Sequence, residues 1–517
     1  MWVRFVLPVA GLILIWSPVG SRLGTGLTSR WSPLLLDRPL FAYGVVPIVG
    51  AVAFWFLRDA THMLGDGQTL AVMIAGGNLF HGFDFMTFHL IARIYQGIGA
   101  GGEGAAIQVA AVLSGLSGAG YLAVAAWTAR RLSKDGAARI LLYSLLVFGA
   151  ALQVFFGYME VYAPLTVFLL LFLTRFILYL EDRGSLLAAS AAWGAALFFH
   201  FNAMFLAPLL LVALIRPPAH EAAPFGRRVL AIVWPPLVSL AVAGTILALS
   251  GYDLARMRED FGHVGSGSGI LLSLTGDDGL LTWRHLKDTL NLLLLLVPIP
   301  LVLLVAGGRN SGPARPYLVG GSAWLIILLA LVHMKLGAVR DWDLFAPHVS
   351  LLTLAGWYAL AGRRNSDTVI PAAVGGIVGI AVILAVPWFA LNSDEDRSLT
   401  RLENVAADLA PYPRGLLHEQ FAYHHQMADN RAEVIRHYRK CGEVCPNHPR
   451  FHAIYGTYML NQGDADEAAA AYDRSVAADS SYVYGLKMAA LARVLNQEYA
   501  AALPPARRLA EIGGQDA

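Results

Sequence analysis

Apolar runs long enough to cross or nearly cross a bilayer recur along the chain and are separated by short polar breaks. They fall at 3–17, 41–57, 105–128, 140–156, 164–180, 229–249, 290–306, 317–334, 349–360 and 369–391. The run 186–215 is too long for one span and is broken by His200-Phe201-Asn202, so it reads as two short helices meeting at a polar tip. The sum is about twelve apolar helices, some too short to span comfortably. Val3 to Ser17 is short and reads as a signal-like or interfacial helix. Residues 68–79 and 83–98 are only moderately apolar, with His81, Asp84, His89, Arg93 and Gln96 interspersed. Such segments suit helices lying in the membrane interface, as the floor or wall of a cavity. The pattern predicts an all-α fold, a polytopic transmembrane helical bundle over 1–391.

After about Asn392 the hydrocarbon character is lost, and residues 392–517 read as a separate α-helical repeat domain. The period is about 34 residues, that of tetratricopeptide helix pairs. Gly456, Gly463, Ala468 and Tyr472 take the small and aromatic positions of the best copy, where two helices approach closely or wedge apart. Tyr438 precedes Tyr472 by one period, and Leu495-Asn496-Gln497 echoes Leu460-Asn461-Gln462. The alternative is an unrelated helical hairpin domain.

Composition agrees with the pattern. Of 517 residues, 56% are hydrophobic and 14% charged, with a mean hydropathy of +0.55, which a soluble protein cannot bury. A net charge of +2 and the lack of a long basic tract exclude nucleic acid as a partner. The two cysteines, Cys441 and Cys445, do not make a disulfide framework. They could pair if the tail is extracytoplasmic, though a small buried apolar role for Cys441 is the better reading.

Orientation follows the basic loops. Arg130-Arg131-Leu132-Ser133-Lys134, Arg227-Arg228, Arg309 with Arg315, and Arg363-Arg364 fall on one side, the cytoplasmic side by the positive-inside rule. The other side then holds 58–104, the tip 157–162, His200 to Asn202, 251–287, 335–347 and the tail. The expected location is the inner (plasma) membrane, multi-pass, with the C-terminal domain in the periplasm. Gly265-Ser266-Gly267-Ser268-Gly269 is a flexible stretch suited to a moving lid.

Three acidic motifs share that outer face, each at the end of an apolar run. In Gly65-Asp66-Gly67 a carboxylate stands between two glycines that let the backbone bend sharply. Asp66 is therefore a candidate general base, taking the proton of an attacking hydroxyl as an anomeric carbon becomes cation-like. A helix-capping turn would be the better reading of the motif alone. Its place after a span and before interfacial segments favours catalysis. Glu160, in Gly157-Tyr158-Met159-Glu160, is a second candidate catalytic carboxylate, able to bind an acceptor hydroxyl or share a divalent metal, Mg or Mn, with Asp66. A helix-start carboxylate favoured by the dipole is an equal reading. Arg340-Asp341-Trp342-Asp343 is the most distinctive string. Arg suits a phosphate, Trp the face of a sugar or isoprenoid, and the Asp pair a metal or sugar hydroxyls; an interfacial aromatic belt is the alternative. His333, Lys335 and His348 bracket it, and Lys335 joins the candidate donor-binding set. Arg256, Arg258 and His263 are further candidate phosphate contacts, although charged loops are usually only solvated. His200 and Asn202 read more simply as a satisfied core pair.

The order of these motifs resembles the GT-C superfamily of integral membrane glycosyltransferases, from Phe41 to about Leu391. In that superfamily an early outer loop carries an acidic residue, here Asp66, and interfacial helices come next, here 68–98. The next span ends in a basic turn, here Arg130-Arg131-Leu132, and the next outer tip often carries a second acid, here Glu160. A soluble domain comes last and faces outward. This chain has Gly-Asp-Gly where an Asp-Glu or Asp-x-Asp pair is usual. The resemblance implies transfer of a sugar from a polyprenyl-phosphate-linked donor to a protein or glycan acceptor of the cell envelope. Two other readings stand beside it: an O-antigen ligase or polymerase-like transferase, and a non-enzymatic transporter or assembly scaffold. A transporter calls for ionisable residues near mid-membrane and repeat-related broken helices, whereas the acids here lie at the ends of spans.

Overall fold

The structure, a computed structural model, describes residues 22, 24–82, 85–99, 101–252, 279–308, 312–363 and 366–513. It is all-α, with no strand among the described residues. The run 3–17, Asp84, Arg256, Arg258, His263, the Gly-Ser stretch 265–269, Arg309 and Arg364 lie outside those residues. The chain divides into two compact units, 1–334 with 338–398, and 335–337 with 399–517.

In the first unit the helices are α1 Val46–Phe56, α2 Gly67–Ala75, α3 Phe85–Gly97, α4 Glu103–Leu132, α5 Gly136–Val147, α6 Ala163–Leu180, α7 Leu186–Phe199, α8 Ala207–Ile215, α9 Phe225–Leu249, α10 Trp283–Leu296, α11 Pro298–Ala306, α12 Arg315–Leu331, α13 Val349–Ala361 and α14 Ser366–Asn392. Among the described residues five helical segments, Glu103–Leu132, Ala163–Leu180, Phe225–Leu249, Asp341–Ala361 and Thr368–Asn392, are long and apolar enough to cross a membrane, or up to seven if each sharply bent pair is one span. These helices make the chain a multi-pass membrane protein.

Sequence signals place the ends. Asp135 accepts from the Ala138 amide, Ser185 from Ala188 and Thr282 from His285, the capping that starts α5, α7 and α10. Helix α4 begins with Glu103 and ends with Arg130 and Arg131, in the sense the helix dipole favours. Its Gly118 faces the Phe54 ring and Phe155, where a Cβ would come within 2.4 Å of the ring. The absent side chain is what lets α1 and the residues before Phe156 close on α4.

Two expected spans are not continuous. The run 140–156 is helical only to Val147, then turns through the 3-10 segment Ala150–Phe155. Phe148-Gly149 makes the break, and apolar character alone does not say whether a helix continues. The run 290–306 bends by 93° between α10 and α11. Pro298 lacks the amide proton and clashes with the preceding turn, so it starts a new helix there. The run 186–215 divides at His200, as its polar tip implies, with a 3-10 segment Phe201–Leu206 between α7 and α8.

The basic ends meet at one end of the bundle. Arg183 donates to the Arg131 carbonyl at 2.6 Å, and Tyr358 to Glu181 at 2.5 Å. The opposite ends of α4 and α6 adjoin the acidic motifs.

The chain continues as α15 Glu395–Ala406, within which the first unit gives way to the second. Six helices complete it: α16 Pro411–Met427, α17 Arg431–Val444, α18 Pro449–Asn461, α19 Ala465–Ala478, α20 Val483–Leu495 and α21 Tyr499–Gly513. They pack as successive antiparallel pairs, α16 with α17, α18 with α19 and α20 with α21. A Cβ at Gly456 would lie 2.9 Å from the Tyr472 ring, the close approach that small and aromatic positions call for. Tyr455, Tyr458, Met459 and Tyr472 form the core of the stack. Cys441 and Cys445 are free thiols, and Cys441 is buried with its Sγ 3.2 Å from the Gly415 carbonyl.

Candidate functional site

Three distant segments of the first unit are tied together at one end of the bundle. The Asp59 amide donates to the Phe156 carbonyl at 2.7 Å, and the Ala60 amide to the Asn392 carbonyl at 2.9 Å. Thr61 Oγ1 lies 3.3 Å from Ser398 Oγ. Asp59 Oδ2 accepts from the His62 amide at 3.0 Å, closing the turn that leads to Gly65. The loop between α1 and α2 is thus fixed by the segment after α5 and by the end of α14.

Both glycines of Gly65-Asp66-Gly67 are required by this arrangement. Gly65 has φ +90°, a conformation that strains residues bearing a side chain. A Cβ there would stand 2.5 Å from Glu160 Oε1, 2.6 Å from the Tyr158 hydroxyl and 2.7 Å from Asp343 Oδ2. A Cβ at Gly67 would meet the Met159 carbonyl at 2.8 Å. Three acidic or phenolic oxygens from two other segments therefore converge on the backbone of the first. The Asp66 amide donates to Glu160 Oε1 at 2.5 Å.

Asp66 takes the N-cap position of α2, but its side chain makes no capping bond. The residue is exposed while its neighbours Leu64, Gly65 and Gly67 are buried. The cap reading accounts for its place in the chain and not for the use of its carboxylate.

Tyr158 joins the segments. Its hydroxyl donates to the Leu64 carbonyl and lies 3.0 Å from Asp343 Oδ2. Burial, then the negative charges of Asp343 and Glu160, push its phenol well above the ordinary value, so it stays a neutral donor. The sequence pattern alone assigns Tyr158 no role. The available signal was an aromatic beside a glycine at a tip too short for a loop, and Gly157 has φ +61°.

Arg340 is 1% exposed. Its Nε donates to the Met63 carbonyl at 3.1 Å and its Nη2 to the Gly65 carbonyl at 2.6 Å. Its Nη1 is buried with no hydrogen-bond partner within the protein. Burial pulls this guanidinium below its ordinary value, and the charges of Asp66 and then Asp341 oppose that shift. Arg340 is therefore first a clamp on the loop that carries Asp66, with one donor left over.

Trp342 is fully buried, 5.4 Å from the Tyr158 ring and 6.2 Å from Trp388. In this conformation it is a wall behind the acids and presents no open face to a sugar. Asp341 and Asp343 are also buried, in the 3-10 turn Asp341–Leu344.

His200 and Asn202 support this string from outside. The Asn202 amide donates to His200 Nδ1 at 2.9 Å, and its side chain donates to the Leu344 carbonyl at 2.8 Å. His348 Nε2 lies 3.2 Å from the Asn202 carbonyl. Lys335 belongs to the second compact unit and is not among the residues these bonds gather, and His263 lies outside the described residues.

A narrow cleft of about 40 Å³ lies between α4, the 3-10 segment after α5, the α10–α11 bend, α13 and α14, with Leu145, Leu152, Leu295, Val349 and Leu384 among its walls. It has room for about three waters.

No protein-family model matches the chain. No curated protein matches it either. Among solved structures the chain is similar to ArnT from Cupriavidus metallidurans. One crystal structure, bound to undecaprenyl phosphate, has a TM-score of 0.37 and 15% identity, covering 87% of this chain and 77% of that one. The other, in the apo state, has a TM-score of 0.36 and 17% identity, covering 87% and 76%.

Proposed function

We propose that this chain is a GT-C-type membrane glycosyltransferase that moves a sugar from a polyprenyl-phosphate-linked donor to a protein or glycan acceptor. The observation that carries the reading is the meeting of Asp66, Glu160, Asp343 and Arg340 at one end of an apolar helical bundle. Carboxylates are costly beside hydrocarbon and mark reaction or ion sites there.

In the proposed reaction Asp66 takes the proton of the acceptor hydroxyl. The acceptor oxygen bonds to the anomeric carbon while the bond from that carbon to the phosphate oxygen breaks. The electron pair leaves on the polyprenyl phosphate. Arg340 Nη1 is the donor available to that phosphate, and a fixed guanidinium stabilises the developing charge without reorganising. Glu160, held by the Asp66 amide, keeps the loop in register and faces the acceptor. The donor's prenyl tail lies along the lipid-facing helices.

A divalent ion on Asp66 and Glu160 belongs to the same proposal, since an all-oxygen set suits Mg or Mn. Chelation with EDTA, followed by restoration with either ion, tests that part. The tail, read as a tetratricopeptide repeat, would offer its concave side to the acceptor.

The test is transfer from radiolabelled polyprenyl-phosphate sugars to an acceptor extract by the purified protein. Asp66→Asn keeps size and loses the base, so turnover should fall by roughly 10²–10⁴-fold with folding unchanged. Near wild-type turnover by the Asn variant removes Asp66 from the role. A scaffold or transporter shows no transfer with either protein.

A further inference from the structure

The second unit carries a histidine cluster that the proposed reaction does not use. Helix α16 brings His418 and His425, seven residues apart and so on one stripe. Helix α17 brings Glu433 and His437, four apart and so on one face. The two helices pack antiparallel, which sets one stripe against the other. The nitrogen and oxygen ligand atoms of His425, Glu433 and His437 all lie within 4.8 Å of one another. His437 Nε2 stands 3.8 Å from Glu433 Oε2. Its other nitrogen, Nδ1, is 3.1 Å from His418 Nδ1.

From this geometry we propose that the second unit binds a divalent transition metal, zinc in the first place, through His425, Glu433 and His437. Two imidazoles and one carboxylate are a donor set zinc takes, with a fourth position left for water. Small movements would bring the three ligand atoms to bonding distance of one ion, since His425 and Glu433 are only partly buried. The His425 and His437 rings lie nearly parallel, 18° apart with centroids at 5.6 Å, so the His425 ring turns to aim its lone pair. His418 is the positioning residue. By occupying His437 Nδ1 it leaves the Nε2 lone pair facing Glu433, as outer partners of ligand histidines do.

Arg436 sits where the ion would. Its Nη2 is 3.0 Å from His437 Nε2, 2.6 Å from Glu433 and 3.1 Å from Glu403. The guanidinium is half exposed, so it can swing to Glu403 alone and release the ligand atoms. Arg436 is thus a built-in competitor for the site.

The simpler role for these rings is packing, since His437 also stacks on Phe421 at 4.8 Å. The experiment separates the two. Full-length protein without a polyhistidine tag is stripped with chelator, then titrated with Zn²⁺ and separately with Co²⁺. One ion per chain is expected, with the visible absorption of low-coordinate Co²⁺. His425→Gln and Glu433→Gln should each weaken zinc binding at least tenfold, and His418→Gln about tenfold. Arg436→Gln should tighten it, which packing does not explain. Because His437 is buried and its loss could unfold the pair, the half-buried His425 and Glu433 carry the test. Binding below one ion per chain, or equal affinity in the wild type and both of those variants, overturns the assignment.

Discussion

Replacing Gly65 by alanine tests whether the acids are gathered by the backbone of the Gly-Asp-Gly loop. Two costs arise. A residue with a Cβ at φ +90° loses roughly 1–2 kcal/mol. The new methyl would also stand 2.5–2.7 Å from three oxygens, which must retreat, and overpacking of this kind costs about 1–3 kcal/mol. Gly77→Ala is the matched control. It has φ +89° and nothing within 4 Å of the added Cβ, so it bears only the first cost. Both variants are purified at full length and unfolded thermally in the same detergent, and sugar transfer is measured on each. Gly65→Ala should be the less stable by roughly 1–3 kcal/mol. It should also lose transfer, because Glu160 and Asp343 are displaced, while Gly77→Ala keeps it. Equal stability and equal transfer in the two variants would show that the oxygens around Gly65 are free to move and that the loop does not set the site.

Arg340→Lys keeps the charge but puts its three donors on one nitrogen, in place of the planar fork whose Nε and Nη2 hold two carbonyls while Nη1 stands apart. Hydrogen exchange at 63–66 should rise and binding of a polyprenyl-phosphate sugar should weaken, with Arg340→Ala worse; unchanged binding in both would make the string an anchor only. Tyr158→Phe removes the hydroxyl that links the Leu64 carbonyl and Asp343 and leaves a buried acceptor, at a cost of about 1–3 kcal/mol read by the same thermal unfolding. For topology, cysteines placed at the exposed positions Thr69 and Ser480, with Cys441 and Cys445 replaced, should both react with an impermeant thiol reagent in intact cells. Reaction at one position and not the other breaks the expected sidedness.

Part of the candidate site was legible because each acid stands at the end of an apolar run. Asp66, Glu160 and the Asp341–Asp343 pair were found that way, and hydropathy with basic loops put them on one face. Side-chain direction was not legible. The spacing of Arg340 and Trp342 says that a cation and an aromatic stand beside the acids. It does not say that Arg340 turns inward to carbonyls 275 and 277 residues earlier, or that Trp342 closes against Trp388. Those directions depend on contacts between segments far apart in sequence. The breaks at Phe148-Gly149 and Pro298 are local by contrast. The proline was visible as a breaker, while a lone glycine in an apolar run permits either outcome. In the tail the close approach of Gly456 to the Tyr472 ring was readable from a small residue and an aromatic on neighbouring helices. The facing of His425 against Glu433 and His437 needed the packing of α16 on α17.

The hydrogen bond between Thr61 and Ser398 spans 337 residues, and this bears on biosynthesis. During synthesis the loop bearing Asp66 emerges early, but two of its tethers, Asn392 and Ser398, are among the last parts of the membrane unit to be made. Until then Ala60 and Thr61 wait in the nascent chain without the Asn392 carbonyl and the Ser398 hydroxyl. Contacts this distant are slow to form and expose partly assembled states. Ribosome-stalled chains ending before α14 should therefore insert their spans without closing the loop, and a premature stop there would yield an inserted protein with no assembled centre.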